Sequence, residues 1–75
     1  MKEIKSMTQS EQIVKYMQDF GSISPQEAVS ELGVYRLAAR IHDLSKSGLS
    51  IGSKTETYTN RYGKTVHYSR YWLDV

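Results

Sequence analysis

Between Thr8 and Gly48 the apolar residues recur with the period of a helix, and beyond Gly48 with the period of a strand. Ile13, Met17 and Phe20 stand at i, i+4 and i+7, flanked by Val14 and Tyr16, which predicts a first helix over roughly 9–20. Thr8 and Glu11 form a capping box at its start, and Gly21 suits the left-handed turn at its end. Ser24-Pro25-Gln26-Glu27 repeats the box, with Pro25 at the first helical position, where its missing N–H costs nothing. Ala28, Val29 and Leu32 give this second helix its buried side, and Gly33 stops it. Leu37, Ile41 and Leu44 then line one stripe of a third helix, Tyr35–Ser47, closed by Gly48. Two strands follow, Ile51–Thr59 and Thr65–Leu73, rich in Thr, Tyr and Val. The turn between them is Asn60-Arg61-Tyr62-Gly63, in which Asn60 and Gly63 tolerate unusual backbone angles. Ser22-Ile23 is too short for a strand of its own, but Ile23 can add one rung to the hairpin. Residues 1–7 have no period and are expected to be a flexible N-terminal leader to one domain, 8–75.

These elements make an α+β chain, three helices followed by a two-stranded hairpin. Along the second strand Ser69, Tyr71 and Leu73 share one face, and Val66, Tyr68, Arg70 and Trp72 the other. The helices need a cover, which assigns Tyr71 and Leu73 inward and leaves Tyr68 and Trp72 outward. A short helix, a glycine turn, a second helix with a slim basic outer face and a hairpin behind it is the order of a winged helix-turn-helix.

The chain resembles the small winged helix-turn-helix domains common among bacteriophage and prophage proteins. The residues that carry the likeness are Thr8-Gln9-Ser10-Glu11-Gln12-Ile13, Ser24-Pro25-Gln26-Glu27-Ala28 and the block from Tyr35 to Leu44. The wing motif Asn60-Arg61-Tyr62-Gly63-Lys64 and the closing Tyr68-Ser69-Arg70-Tyr71 complete it, so that it spans residues 8–73. The resemblance implies a DNA-binding fold in a phage-like setting: a phage or prophage transcriptional regulator in the cytoplasm of a bacterial host, with double-stranded DNA as partner. Winged helices also serve purely to bind protein, so the rival reading is a phage-encoded module that inhibits a host enzyme or defence complex.

Composition narrows the chemistry. Seventy-five residues make one domain, near the lower limit for a single core without staples. With no cysteine there is neither a disulfide framework nor a thiolate metal site. No run approaches the roughly 18 apolar residues of a membrane span, and no signal-peptide core is present, so a soluble intracellular domain away from membranes is expected. Net charge is only +2, but it is unevenly spread. Residues 1–32 hold three lysines against five acids, −2; residues 33–75 hold seven cations against three acids, +4. Basic charge therefore collects in the third helix and the hairpin, as a phosphate-facing surface requires.

The outer face of the third helix carries Tyr35, Arg36, Ala39, His42, Asp43 and Lys46, with Arg40 at its edge. In a major groove Arg36 or Arg40 would reach guanine O6 and N7, Tyr35 a thymine methyl or a phosphate, and the small Ala39 would let the backbone approach the bases. Arg36 lies near the middle of this arc; Arg40 sits at its border, where pairing with Glu27 or Glu31 of the second helix is the alternative. Asp43 repels phosphate and is expected to pair with Arg36, Arg40 or Lys46. A second cluster, Arg61, Tyr62 and Lys64, occupies the hairpin tip, with Lys54 on the same edge; it is either a phosphate contact or a turn that is polar because it is wet. Third, Tyr58, Tyr68 and Trp72 share a sheet face that either stiffens the hairpin by cross-strand packing or anchors a host protein or a homodimer. His42 and His67, the latter expected beside Tyr58, are the only histidines, and no nucleophile elbow or phosphate loop is present. No enzyme activity, cofactor or metal is expected.

Overall fold

The computed structural model describes residues 7–74. Helices α1 (Gln9–Phe20), α2 (Pro25–Leu32) and α3 (Leu37–Lys46) precede strands β1 (Ile51–Thr59) and β2 (Thr65–Leu73). Of the expected leader only Met7 lies within the described residues.

Both capping boxes form. Thr8 Oγ1 accepts from the Glu11 N–H at 3.1 Å while the Thr8 N–H donates to Glu11 Oε1 at 2.8 Å. Ser24 and Glu27 repeat the exchange at 3.2 and 2.9 Å. Each box satisfies two amides that a helix start would otherwise leave open. At the far end of α2, Gly33 adopts φ +69°, its N–H donates to Val29, and the Val34 N–H reaches back to Ala28 at 2.9 Å.

The core is built from Ile13, Met17, Ile23, Ala28, Val34, Leu37, Ile41 and Leu44, with Ile51, Tyr71 and Leu73 of the hairpin packed against it. The third-helix stripe and the inward assignment of Tyr71 and Leu73 therefore hold. Phe20 and Val29 do not enter the core. Phe20 is 70% exposed, because the chain leaves α1 at Gly21 and Ile23 turns inward instead. Val29 sits a third of a turn from the buried Ala28, and an eight-residue helix buries only a narrow stripe.

β1 and β2 pair antiparallel from Ile51↔Leu73 to Thr59↔Thr65. Ile23 forms the expected rung: its N–H donates to the Tyr71 carbonyl at 2.8 Å, and the Tyr71 N–H donates back at 2.9 Å. Asn60 keeps an ordinary negative φ and shapes the turn with its side chain, whose Oδ1 accepts from the Tyr62 and Lys64 N–H groups at 2.9 and 3.1 Å. Within the turn, Gly63 uses the left-handed region, at φ +81°. His67 faces Thr57, while Tyr58 pairs with Val66, so the histidine and Tyr58 point to opposite sides of the sheet.

Gly52 stands opposite Trp72 in the register, and a Cβ there would overlap the indole ring. Gly52→Ala gains about 0.5–1 kcal/mol in strand propensity but forces the indole off the sheet, at about 1–3 kcal/mol. We expect net destabilisation by denaturant titration; a midpoint equal to or above the parent's would show that the indole shifts at no cost.

Candidate nucleic-acid interface

α3 begins two residues later than the sequence pattern implies. Arg36 is its N-cap residue (φ −123°, ψ 60°) and makes no side-chain cap. Tyr35 and Arg36 thus project from the junction before the helix rather than from its wheel, because buried Val34 and Leu37 pin the chain on either side of them. Tyr35 is 79% exposed. Both residues open onto a groove shared with Ala38 and Ala39 of α3, Pro25 of α2 and His67 and Ser69 of β2.

Arg40 behaves differently. Its guanidinium pairs with Asp43 one turn on, at 3.1 Å, and its Nε is buried without an acceptor among the described residues. Pairing with Glu27 or Glu31 does not occur, because Glu27 is engaged by Arg70 and by its own capping box. Lys46 lies at the opposite end of α3, about 14 Å from Leu37 at the rise of an α-helix, and is not part of the groove. Arg61, Tyr62 and Lys64 form a separate patch at the hairpin tip, all exposed, Tyr62 to 87%. The expected site residues therefore fall into two clusters, the helix start and the wing tip, with Arg40 folded back on its helix and Lys46 beyond both.

A family model for the winged helix-turn-helix domain matches residues 8–75. The chain belongs to this family. No curated protein and no solved structure matches it. Membership of the winged helix-turn-helix family points to DNA as the partner, and the domain's three helices and antiparallel hairpin agree with it. Among the described residues no helix is long and apolar enough to cross a membrane.

The aromatic trio of the winged domain is only partly open. Tyr68 and Trp72 are half-buried, the first through its hydroxyl on Glu56 Oε1 at 2.9 Å, the second laid over Gly52. Tyr58 alone remains well exposed. Cross-strand packing accounts for two of the three.

Sequence reasoning missed the cluster around Arg70. Its Nε donates to Glu56 Oε1 at 2.9 Å, and its Nη1 donates to Ser22 Oγ and Glu27 Oε1, each at 3.1 Å. Part of this was within reach: counting back from the Asn60–Gly63 turn sets Lys54 opposite Arg70 and Glu56 opposite Tyr68, one step away on the same face. Contact with Ser22 and Glu27 depends on how the hairpin folds over the helices, which no local pattern encodes.

The Arg70 guanidinium, followed by the Tyr68 hydroxyl, holds the Glu56 carboxyl below the usual carboxylate range. A depressed folded-state pKa adds stability that is present above the unfolded value, about 4.3 for Glu, and is lost as pH falls through the folded value. We therefore expect Glu56→Gln to melt below the parent at about pH 7, with the gap closing towards about pH 3. Melting curves across that range check it, and a gap that persists undiminished in acid contradicts the assignment.

Proposed function

We propose that this chain is a sequence-specific binder of double-stranded DNA and a small transcriptional regulator, in keeping with its resemblance to phage and prophage proteins. The observation that carries this reading is the pairing of its cations. Lys15, Arg40, Lys54 and Arg70 are engaged by carboxylates, whereas Arg36, Lys46, Arg61 and Lys64 have no ion-pair partner among the described residues. Three of these four mark the start of α3 and the tip of the wing, the two places from which a winged helix-turn-helix reaches DNA. The N-terminal residues of a recognition helix are those that contact base edges, so the displacement of Arg36 to the start of α3 suits it to that task. The wing tip follows a phosphate backbone or enters a minor groove. One such module buries about 600–1,000 Å² on DNA, and a two-fold homodimer on a palindrome would double that.

A second reading, a protein-binding module directed at a host protein, draws on the exposed Phe20. Its ring stacks on Tyr16 at 4.6 Å between centroids, beside a cleft that Met7 and Leu32 also line.

Arg36→Ala is expected to weaken specific binding by about 1–3 kcal/mol and relax preference at one base position, read by selection from random duplexes. Unchanged affinity at low salt would falsify the role of Arg36. Lys64→Ala should weaken all duplexes evenly and lower the salt slope by about one. Retention of a protein partner after nuclease treatment, with no shift of duplex DNA, would favour the second reading.

A further inference from the structure

The wing is a cantilever. Its base is held to the helices by the Ile23–Tyr71 rung and by the Arg70 side chain. Beyond Arg70, toward the tip, no hydrogen bond among the described residues joins the hairpin to a helix. From Arg70 to the tip is about 20 Å at the rise of a strand, so a swing of roughly 10° at the base displaces Arg61 and Lys64 by ~3–4 Å. That distance is about a whole hydrogen bond. What holds the angle at the base therefore decides whether the tip meets a phosphate.

We infer that Arg70 aims the wing, as a positioning residue that brings the tip cations into register with α3 without touching DNA itself. Its planar fork bridges three elements at once: Glu56 on β1, Ser22 in the α1–α2 connection and Glu27 on α2. Glu27 Oε1 also accepts the Ser24 N–H at 2.9 Å, so the same carboxylate oxygen caps α2 and receives the wing. The eight-residue α2 leads through the Gly33 turn to the start of α3, and the cluster thereby ties the two candidate contact regions into one frame. A backbone rung fixes spacing but leaves a twisting freedom about its own axis; a second attachment on the adjacent residue removes it. Facing two carboxylates and three-quarters buried, the guanidinium is not presented as a phosphate-binding cation. A lysine could not replace it, since an ammonium lacks the rigid fork that spans acceptors on three elements.

This inference rests on the wing tip being a phosphate contact, and the experiment separates the two. Binding of a random-sequence duplex is measured against salt for four proteins: the parent, Arg61→Ala/Lys64→Ala, Arg70→Met/Glu56→Gln and the combination of all four changes. The Arg70→Met/Glu56→Gln protein keeps the parent's net charge, so a change in its salt slope does not come from altered total charge. We expect the tip variant to lower the slope by about 1.8, two phosphate contacts' worth. Arg70→Met/Glu56→Gln should lower it similarly, with little further loss in the combination. Arg70→Lys, which retains the charge and loses only the fork, should fall between parent and tip variant, and it carries the test if the double variant does not fold by circular dichroism. A folded Arg70 variant with the parent's slope, alongside a tip variant whose slope drops, overturns the inference alone. A tip variant with the parent's slope overturns the wing contact and this inference with it.

Discussion

Two hydrogen bonds between Ile23 and Tyr71 join the halves of this molecule. A two-stranded hairpin is at best marginally stable in water, and here its distal half is largely exposed on both faces. Pairing with Ile23 turns its base into a three-stranded edge, and the fully buried Ile23 side chain locks that edge into the helical core. The connection is only four residues long, from the left-handed Gly21 to the α2 cap Ser24. The end of α1, the start of α2 and the base of β2 are thus held at one point. The angle between the helices and the reach of the wing both follow from that junction. Loss of the rung would leave the Arg70 cluster without the spacing it needs, whereas loss of Arg70 would leave the rung intact.

Pairing explains why a net charge of +2 understates the surface. Cations close to the helical body are consumed locally: Lys15 on Asp19, Arg40 on Asp43, Arg70 between Glu56 and Glu27. Acids are likewise consumed, Glu11 in a cap and Glu27 in a cap and an ion pair together. The cations left without an ion-pair partner among the described residues, Arg36, Lys46, Arg61 and Lys64, all lie in the α3–wing half. Unpaired, exposed cations are the ones that release counterions on meeting a polyanion, so their placement matters more than the sum.

Much of the fold was legible because its signals are local. Capping boxes, Pro25 at the first helical turn, glycines past the helix ends and a switch from helical to alternating periodicity each depend on neighbours within four residues. The start of α3 was misplaced because Tyr35 and Arg36 continue the outward polar pattern, while the geometry is set by Val34 and Leu37 turning inward on either side of them. Phe20 was misplaced because periodicity places residues on a face and says nothing of whether that face still has a partner at the helix end. The Arg70 cluster was half legible: the strand register follows from the turn, but Ser22 and Glu27 are 48 and 43 residues away along the chain. Side-chain contacts across such separations depend on tertiary packing, which sequence period cannot supply.

The two candidate contact regions share a physical design. At the start of α3 the backbone is pinned between buried residues on both sides, and at the wing tip Asn60 ties the turn to itself through two backbone N–H groups. In each case the backbone is fixed while the long cationic side chains remain unattached. Binding then orders side chains alone, at about 0.5–1.5 kcal/mol each, instead of ordering a loop residue by residue at about 1–2 kcal/mol of backbone entropy. For a module with so small a footprint that difference is large, because few contacts are available to offset it. A mobile tip carrying the same two cations would have the same charge and a weaker grip, which is why the fixed angle at the wing's base bears on affinity as directly as the cations at its end.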